Sequence, residues 1–105
     1  MNSSNKYIQN EPTEQISIVF EEDCNRSAAY IDGKQIGECE FKVSDSVWTI
    51  THTGVRPEYG GRGIAKKLVL KVIEAARTQD AKIVPLCSYA EKLMSGKEEY
   101  RDILN

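Results

Sequence analysis

No apolar run in this sequence approaches the roughly 18–20 residues that a membrane-spanning helix needs, which excludes such a helix. The first residues, Met1 to Lys6, lack the apolar core of a secretion signal, so the expectation is a cytoplasmic protein. Cysteine is scarce and odd in number: Cys24, Cys39 and Cys87 stand far apart, and no Cys-x-x-Cys pair exists. That pattern is not a disulfide framework. His52 is the single histidine, which leaves too few ligands at the right spacing for a structural zinc site. Neither sign of charge dominates, since 14 Lys and Arg against 16 Asp and Glu leave a net charge of −2. A protein driven onto nucleic acid usually carries a basic face, so that class is disfavoured. No internal repeat and no low-complexity segment interrupts the chain.

What is present fits one small domain, since 105 residues fall within the usual domain range of about 50–250. Residues 1–14 are polar and include Pro12, and they are expected to form a flexible tail before a domain spanning 15–105. Apolar β-branched runs predict strands over 16–20, 27–31, 36–43 and 47–55. Asp32-Gly33 is a hairpin signal and Ser44-Asp45 a second turn. In the third strand Gly37, Cys39, Phe41 and Val43 share one face, while Glu38, Glu40 and Lys42 share the other. Ile64, Ala65, Leu68, Val69, Val72, Ile73 and Ala76 recur at helical spacing and predict a helix over 64–79. Residues 83–87 form a nearly continuous apolar run, suited to a strand covered on both faces. A short helix over 88–93 follows, with Ser88 at its N-cap. Tyr100, Ile103 and Leu104 are placed to pack back on the domain, and Trp48 and Cys39 read as core. The fold class is α+β: an antiparallel four-strand meander, a helix, a parallel fifth strand and a short C-terminal helix. The crossover into the fifth strand is right-handed.

Residues 50–87 carry the chemistry. A strand runs into a loop, Arg56-Pro57-Glu58-Tyr59-Gly60-Gly61-Arg62-Gly63, which opens a helix. Free N–H groups and the helix dipole at such a terminus favour an anion, so a phosphate-bearing ligand is the first expectation. The plainer alternative is a glycine-rich turn from strand to helix. Ligands of such sheets sit outside the carboxyl ends of strands, and Val55 and Cys87 lie at two of these ends. Lys66 and Lys67 either approach the ligand's phosphates or form a solvated helix face.

These residues resemble the acetyl-CoA-binding motif of the GCN5-related N-acetyltransferases. His52-Thr53-x-Val55, Gly61-Arg62-Gly63-Ile64-Ala65 and Val84-Pro85-x-Cys87-Ser88-Tyr89 resemble the small single-domain branch of that family, over roughly residues 16–102. The resemblance implies a GNAT-like fold, acetyl-CoA as cosubstrate and an amine acceptor. It implies a cofactor site of Thr53, Gly54, Val55, Gly60, Gly61, Arg62, Gly63, Ile64, Ala65 and Lys66. The family loop, Arg/Gln-x-x-Gly-x-Gly/Ala, matches at Gly63 and Ala65 but carries Gly60 in its first position. Gly54 is a second departure, because the branch often has an acid there. By the same resemblance Cys87 is a candidate to carry the acetyl group as a thioester or to line the site, the bland reading being core packing. A cysteine before a helix N-terminus favours the thiolate form. His52 is the candidate base for the amine or for Cys87, and Tyr89 a candidate proton donor to the departing thiol. The acidic pair Glu38 and Glu40 suits a cationic acceptor such as a polyamine or a lysine side chain. A monomer or weak dimer is expected. Two other readings stand beside the enzyme: a non-catalytic acyl-CoA sensor, and an interaction domain without CoA affinity.

Overall fold

The structure, a computed structural model, describes residues 15–105, and the expected tail over 1–14 lies outside the described residues. The chain forms β1 (Ser17–Glu21), β2 (Arg26–Ile31), β3 (Lys34–Ser44), β4 (Val47–Val55), α1 (Ile64–Thr78), β5 (Lys82–Pro85) and α2 (Ser88–Met94). The five strands lie in sequence order in one sheet, the first four antiparallel and β5 parallel to β4. The meander, the crossover helix and the parallel step are those the sequence predicts.

Turn chemistry accounts for the meander. Asp32 and Gly33 both adopt positive φ, at 51° and 78°, which matches the twist of a tight hairpin. Asp45 does the same between β3 and β4 at φ 55°. Two irregularities modify the pairing, one between Ala29 and Tyr30 and one between Glu40 and Phe41. At the second, Glu40 opposes His52 and Phe41 opposes Ile50, so Thr51 is an extra residue on β4. An extra residue shifts the alternation of faces. Buried Trp48 and Ile50 precede it, and Thr53 continues the inward face after it.

The core lies between the sheet and α1, which buries Ile64, Leu68, Val69, Val72, Ile73 and Ala76. Ala65, expected on that face, is only half-buried. Phe20, Phe41 and Trp48 stack at one end, with the Phe41 and Trp48 ring centroids 4.4 Å apart. The fully buried Ser27 hydroxyl donates to the Leu68 carbonyl at 2.7 Å, tying sheet to helix.

Val43 lies opposite Trp48 on the face expected for it and is 48% exposed, because β3 overhangs β2, whose pairing ends with Arg26 opposite Glu40. Two expectations need correction. The fifth strand stops at Pro85, which has no N–H to extend the ladder, and Leu86 beyond it is 66% exposed. The cap of α2 is Cys87, one residue earlier than expected, with its sulfur accepting from the Ala90 N–H at 3.4 Å. The C-terminal segment does pack back. Ile83 N–H donates to the Ile103 carbonyl at 2.8 Å, Asn105 N–H donates to the Ile83 carbonyl at 2.9 Å, and Tyr100 and Ile103 are buried.

Candidate active site

The site begins where two paired strands part. The register of β4 with β5 ends at Ile50 opposite Pro85. The N–H groups of Leu86 and Cys87 then both donate to the Ile50 carbonyl, each at 3.0 Å, which turns the chain out of the ladder. β4 continues to Val55, so residues 52–55 have a β3 partner on one edge, and residues 51–55 have no β5 partner on the other. The result is a notch between the carboxyl ends of parallel strands, with peptide groups of β4 along one side.

The loop after Val55 is anchored at its start, where Arg56 N–H donates to the Ile36 carbonyl at 2.8 Å. A turn at Pro57–Tyr59 follows, and the Arg62 guanidinium lies 5.2 Å from the Tyr59 ring centroid. Gly61 and Gly63 adopt φ 78° and 76°, a region that side-chain-bearing residues rarely enter, and open space surrounds both Cα atoms. Gly60 is extended, and a Cβ there would meet the Pro57 carbonyl oxygen at 3.3 Å, so the departure at this position suits a tight turn. Gly63 is the N-cap of α1 and supplies no side-chain cap. The first turn of α1 contains no acid, and it holds Lys66 with Lys67 following. Cations at a helix N-terminus oppose the dipole. An uncapped, glycine-led terminus flanked by lysines is therefore chemically suited to an anion such as a pyrophosphate.

Two side-chain groups flank the last residues of β4 on opposite faces of the sheet. On the inward side, the Thr53 hydroxyl donates to Cys39 Sγ at 3.6 Å and lies 3.4 Å from Cys87 Sγ. A hydroxyl has one proton, so while it donates to Cys39 it accepts from the Cys87 thiol. Burial pushes the Cys39 thiol up to about 12, which keeps it protonated. Cys87 is half-buried two residues past the end of β5, held by Thr53 and the Ala90 N–H. On the other side, His52 Nε2 donates to Glu38 Oε2 at 2.8 Å, and Gln35 Nε2 donates to Glu38 Oε1 at 3.2 Å. A cleft of about 420 Å³ opens there, lined by Gln35, Ile36, Glu38, Gly54, Val55 and Arg56.

Sequence-predicted residues thus separate into groups. Cys87 meets Thr53, whereas His52 meets Glu38, and consecutive strand residues 52 and 53 point to opposite faces. Tyr89 is exposed on α2. Glu38 is the partner of His52 that sequence reasoning passed over, treating it only as part of an acidic face. Its signal was Gly54: a Cβ there would lie 3.0 Å from both Glu38 Oε2 and His52 Nε2. Among the described residues no group of three His, Cys, Asp or Glu side chains forms a metal site. No helix among them is long and apolar enough to cross a membrane.

The family model of the GCN5-related N-acetyl-transferases matches residues 26–103, which is most of the chain, and the chain belongs to this family. A search of curated proteins gives no match. The solution structure of a GCN5-like protein from Staphylococcus aureus is similar at 29% identity and TM-score 0.65, over 90% of this chain and 91% of that one. The PaiA N-acetyltransferase of Thermoplasma acidophilum, solved with coenzyme A, is similar at 23% identity and TM-score 0.51, over 53% of this chain. A GNAT family acetyltransferase from Brucella melitensis, solved with acetyl-CoA, is similar at 19% identity and TM-score 0.53, over 65% of this chain. This chain spans 35% of the Thermoplasma chain and 50% of the Brucella chain, and at these identities the likeness to both is one of fold.

Proposed function

We propose that this protein is an acetyl-CoA-dependent N-acetyltransferase that transfers an acetyl group to a primary amine. The observation that carries the reading is the notch between β4 and β5, continuous in sequence with the uncapped N-terminus of α1. The backbone N–H groups from Gly61 to Lys66 would hold the pyrophosphate, with Lys66 and Lys67 adding positive charge. The free edge of residues 51–55 would pair with the amides of the pantetheine arm, as an added strand pairs with a sheet. The coenzyme A and acetyl-CoA bound by the Thermoplasma and Brucella relatives support this use of the fold.

In the direct route the amine attacks the thioester carbonyl, with His52 as base. Glu38 and Glu40 favour a cationic acceptor such as a polyamine or a basic peptide. A second route uses Cys87 as an acetyl carrier, favoured by its sulfur standing between β5 and α2 within reach of the Thr53 hydroxyl. Acetylation would weaken its cap on α2, where the sulfur accepts from the Ala90 N–H.

Calorimetric titration with CoA tests the cofactor site. Gly63→Asp places a carboxylate at the assigned phosphate position and is expected to abolish binding; unchanged affinity would show the site to be elsewhere. Intact mass after incubation with acetyl-CoA separates the routes. A +acetyl species lost in Cys87→Ala supports the carrier route, and turnover of polyamines or basic peptides without that species supports direct transfer.

A further inference from the structure

We infer that Glu38 is a positioning residue that sets the tautomer of His52, leaving Nδ1 as the nitrogen that takes the proton from the acceptor amine. The inference rests on the transferase reading above and adds to it a residue and an atom.

The chemistry follows from what each group can donate. A carboxylate only accepts, so the 2.8 Å contact between His52 Nε2 and Glu38 Oε2 places the imidazole proton on Nε2. Nδ1 then carries the free lone pair. Glu38 is itself held, because its other oxygen accepts from Gln35 at 3.2 Å. The relay Gln35–Glu38–His52 therefore runs across two strands with each oxygen of the carboxylate occupied. Gly54 makes the contact sterically accessible. A Cβ at this position would stand 3.0 Å from Glu38 Oε2, 3.0 Å from His52 Nε2 and 3.1 Å from His52 Cε1, tight enough that the pair would have to shift by a few tenths of an ångström. The position two residues after His52 is thus a glycine where the pair needs room.

The charged surroundings leave this pair in control. On β3 the ionisable groups beside His52 are Glu38 and Glu40, the latter directly opposite in register. Arg56 lines the same cleft and pairs with Glu58 at 3.4 Å. Arg26, opposite Glu40 on β2, is bonded to Glu21 at 2.7 Å. β5 brings only Lys82, opposite Val47 at the far end of β4, and Cys87 follows the strand on the other face.

The step balances as follows. His52 Nδ1 takes one proton from the substrate ammonium. The freed lone pair forms the N–C bond to the acetyl carbon. The C–S bond breaks with its electrons going to sulfur, which collects a second proton from the nitrogen. His52 later gives its proton to water.

The single imidazole makes a direct test accessible. Long-range 15N–1H NMR of the ligand-free protein is expected to show the Nε2–H form in the wild type. Glu38→Ala should give a mixture of tautomers, and Gly54→Ala should do the same while leaving every charge in place. Kinetics use acetyl-CoA with the fastest amine from a panel of polyamines and lysine peptides. Glu38→Ala is expected to lower kcat roughly 10-fold, and to cause no further loss in a His52→Ala background. An unchanged tautomer in Glu38→Ala, or an independent kinetic loss in the double variant, overturns the inference alone. Full activity of His52→Ala, or no turnover across the panel, counts instead against the transferase reading with His52 as base, and the NMR arm still decides whether Glu38 sets the tautomer.

Discussion

Three thiols in one small chain have three different surroundings, and reactivity follows from them. Cys24 is exposed, Cys87 is half-buried and hydrogen-bonded, and Cys39 is buried with its thiol pushed up to about 12 by burial. Native-state alkylation at pH 8, read by peptide mass spectrometry, is expected to label Cys24 first, Cys87 more slowly and Cys39 only after denaturation. Labelling of Cys39 as fast as Cys24 would refute its burial. The same raised value has a sign for stability. The neutral thiol is favoured in the fold, so this contribution is complete below the unfolded value of about 9, and it is lost as pH rises toward about 12. A second prediction concerns the carboxylate near His52. Gly54→Glu alone should crowd the pair and bring two acids together, and Glu38→Ala alone should leave His52 without its partner. The double variant Glu38→Ala/Gly54→Glu should recover part of the kcat that each single change loses, a coupling read from a double-mutant cycle. No gain over the singles would mean that the two positions are not exchangeable. The places of His52 on β4 and of Cys87 after β5, and the glycine-led start of α1, were legible because each has a local signature. Glu38 was not, because its role depends on a cross-strand register that the extra residue at Thr51 displaces.

At the scale of elements, the start of α1 is poorly built for its own stability. It has no side-chain cap, no acid in its first turn and two lysines against the dipole. The double variant Lys66→Glu/Lys67→Glu should therefore stabilise the ligand-free protein, by about 0.3–1 kcal/mol per residue. It should also weaken CoA binding, so melting temperatures with and without CoA are expected to move in opposite directions. A fall in both would remove the anion-site reading of this terminus. The helix itself was readable from apolar spacing, with its end placed within one residue. β5 was less so. Its apolar run continues past Pro85, but the missing N–H of proline ends the ladder, and hydropathy carries no record of hydrogen bonding. The cap of α2 was misplaced for a related reason, since Ser88 is the usual capping residue and a cysteine sulfur one step earlier took the role.

For the whole molecule, two polar ties close the ends of the sheet. Glu21 of β1 accepts from the Tyr30 hydroxyl and from Arg26 of β2, and these bonds, Tyr30 first, hold its carboxyl below the ordinary value. A lowered value means stability that is present above the unfolded range near 4.5 and lost as pH falls through the folded value. Glu21→Gln should therefore cost about 1 kcal/mol at neutral pH, with wild type and variant converging near pH 3 in thermal melts. A constant difference across that range would show that charge is not the cause. At the other end, Arg77 of α1 bonds Asp102 and Lys82 bonds the Asp102 carbonyl, holding the C-terminal segment against β5. The order of the first four strands was legible because their turns are short and local, and that of the fifth because a helix precedes it, whereas the two irregularities in register leave no trace in composition. The notch beside β4 has a further consequence for how such a protein diverges. A ligand arm gripped by peptide groups is gripped by atoms common to every residue, so a side chain such as that of Thr51 could change without loosening it. The grip would be nearly silent in an alanine scan and would show itself only when an amide of that strand is replaced by an ester.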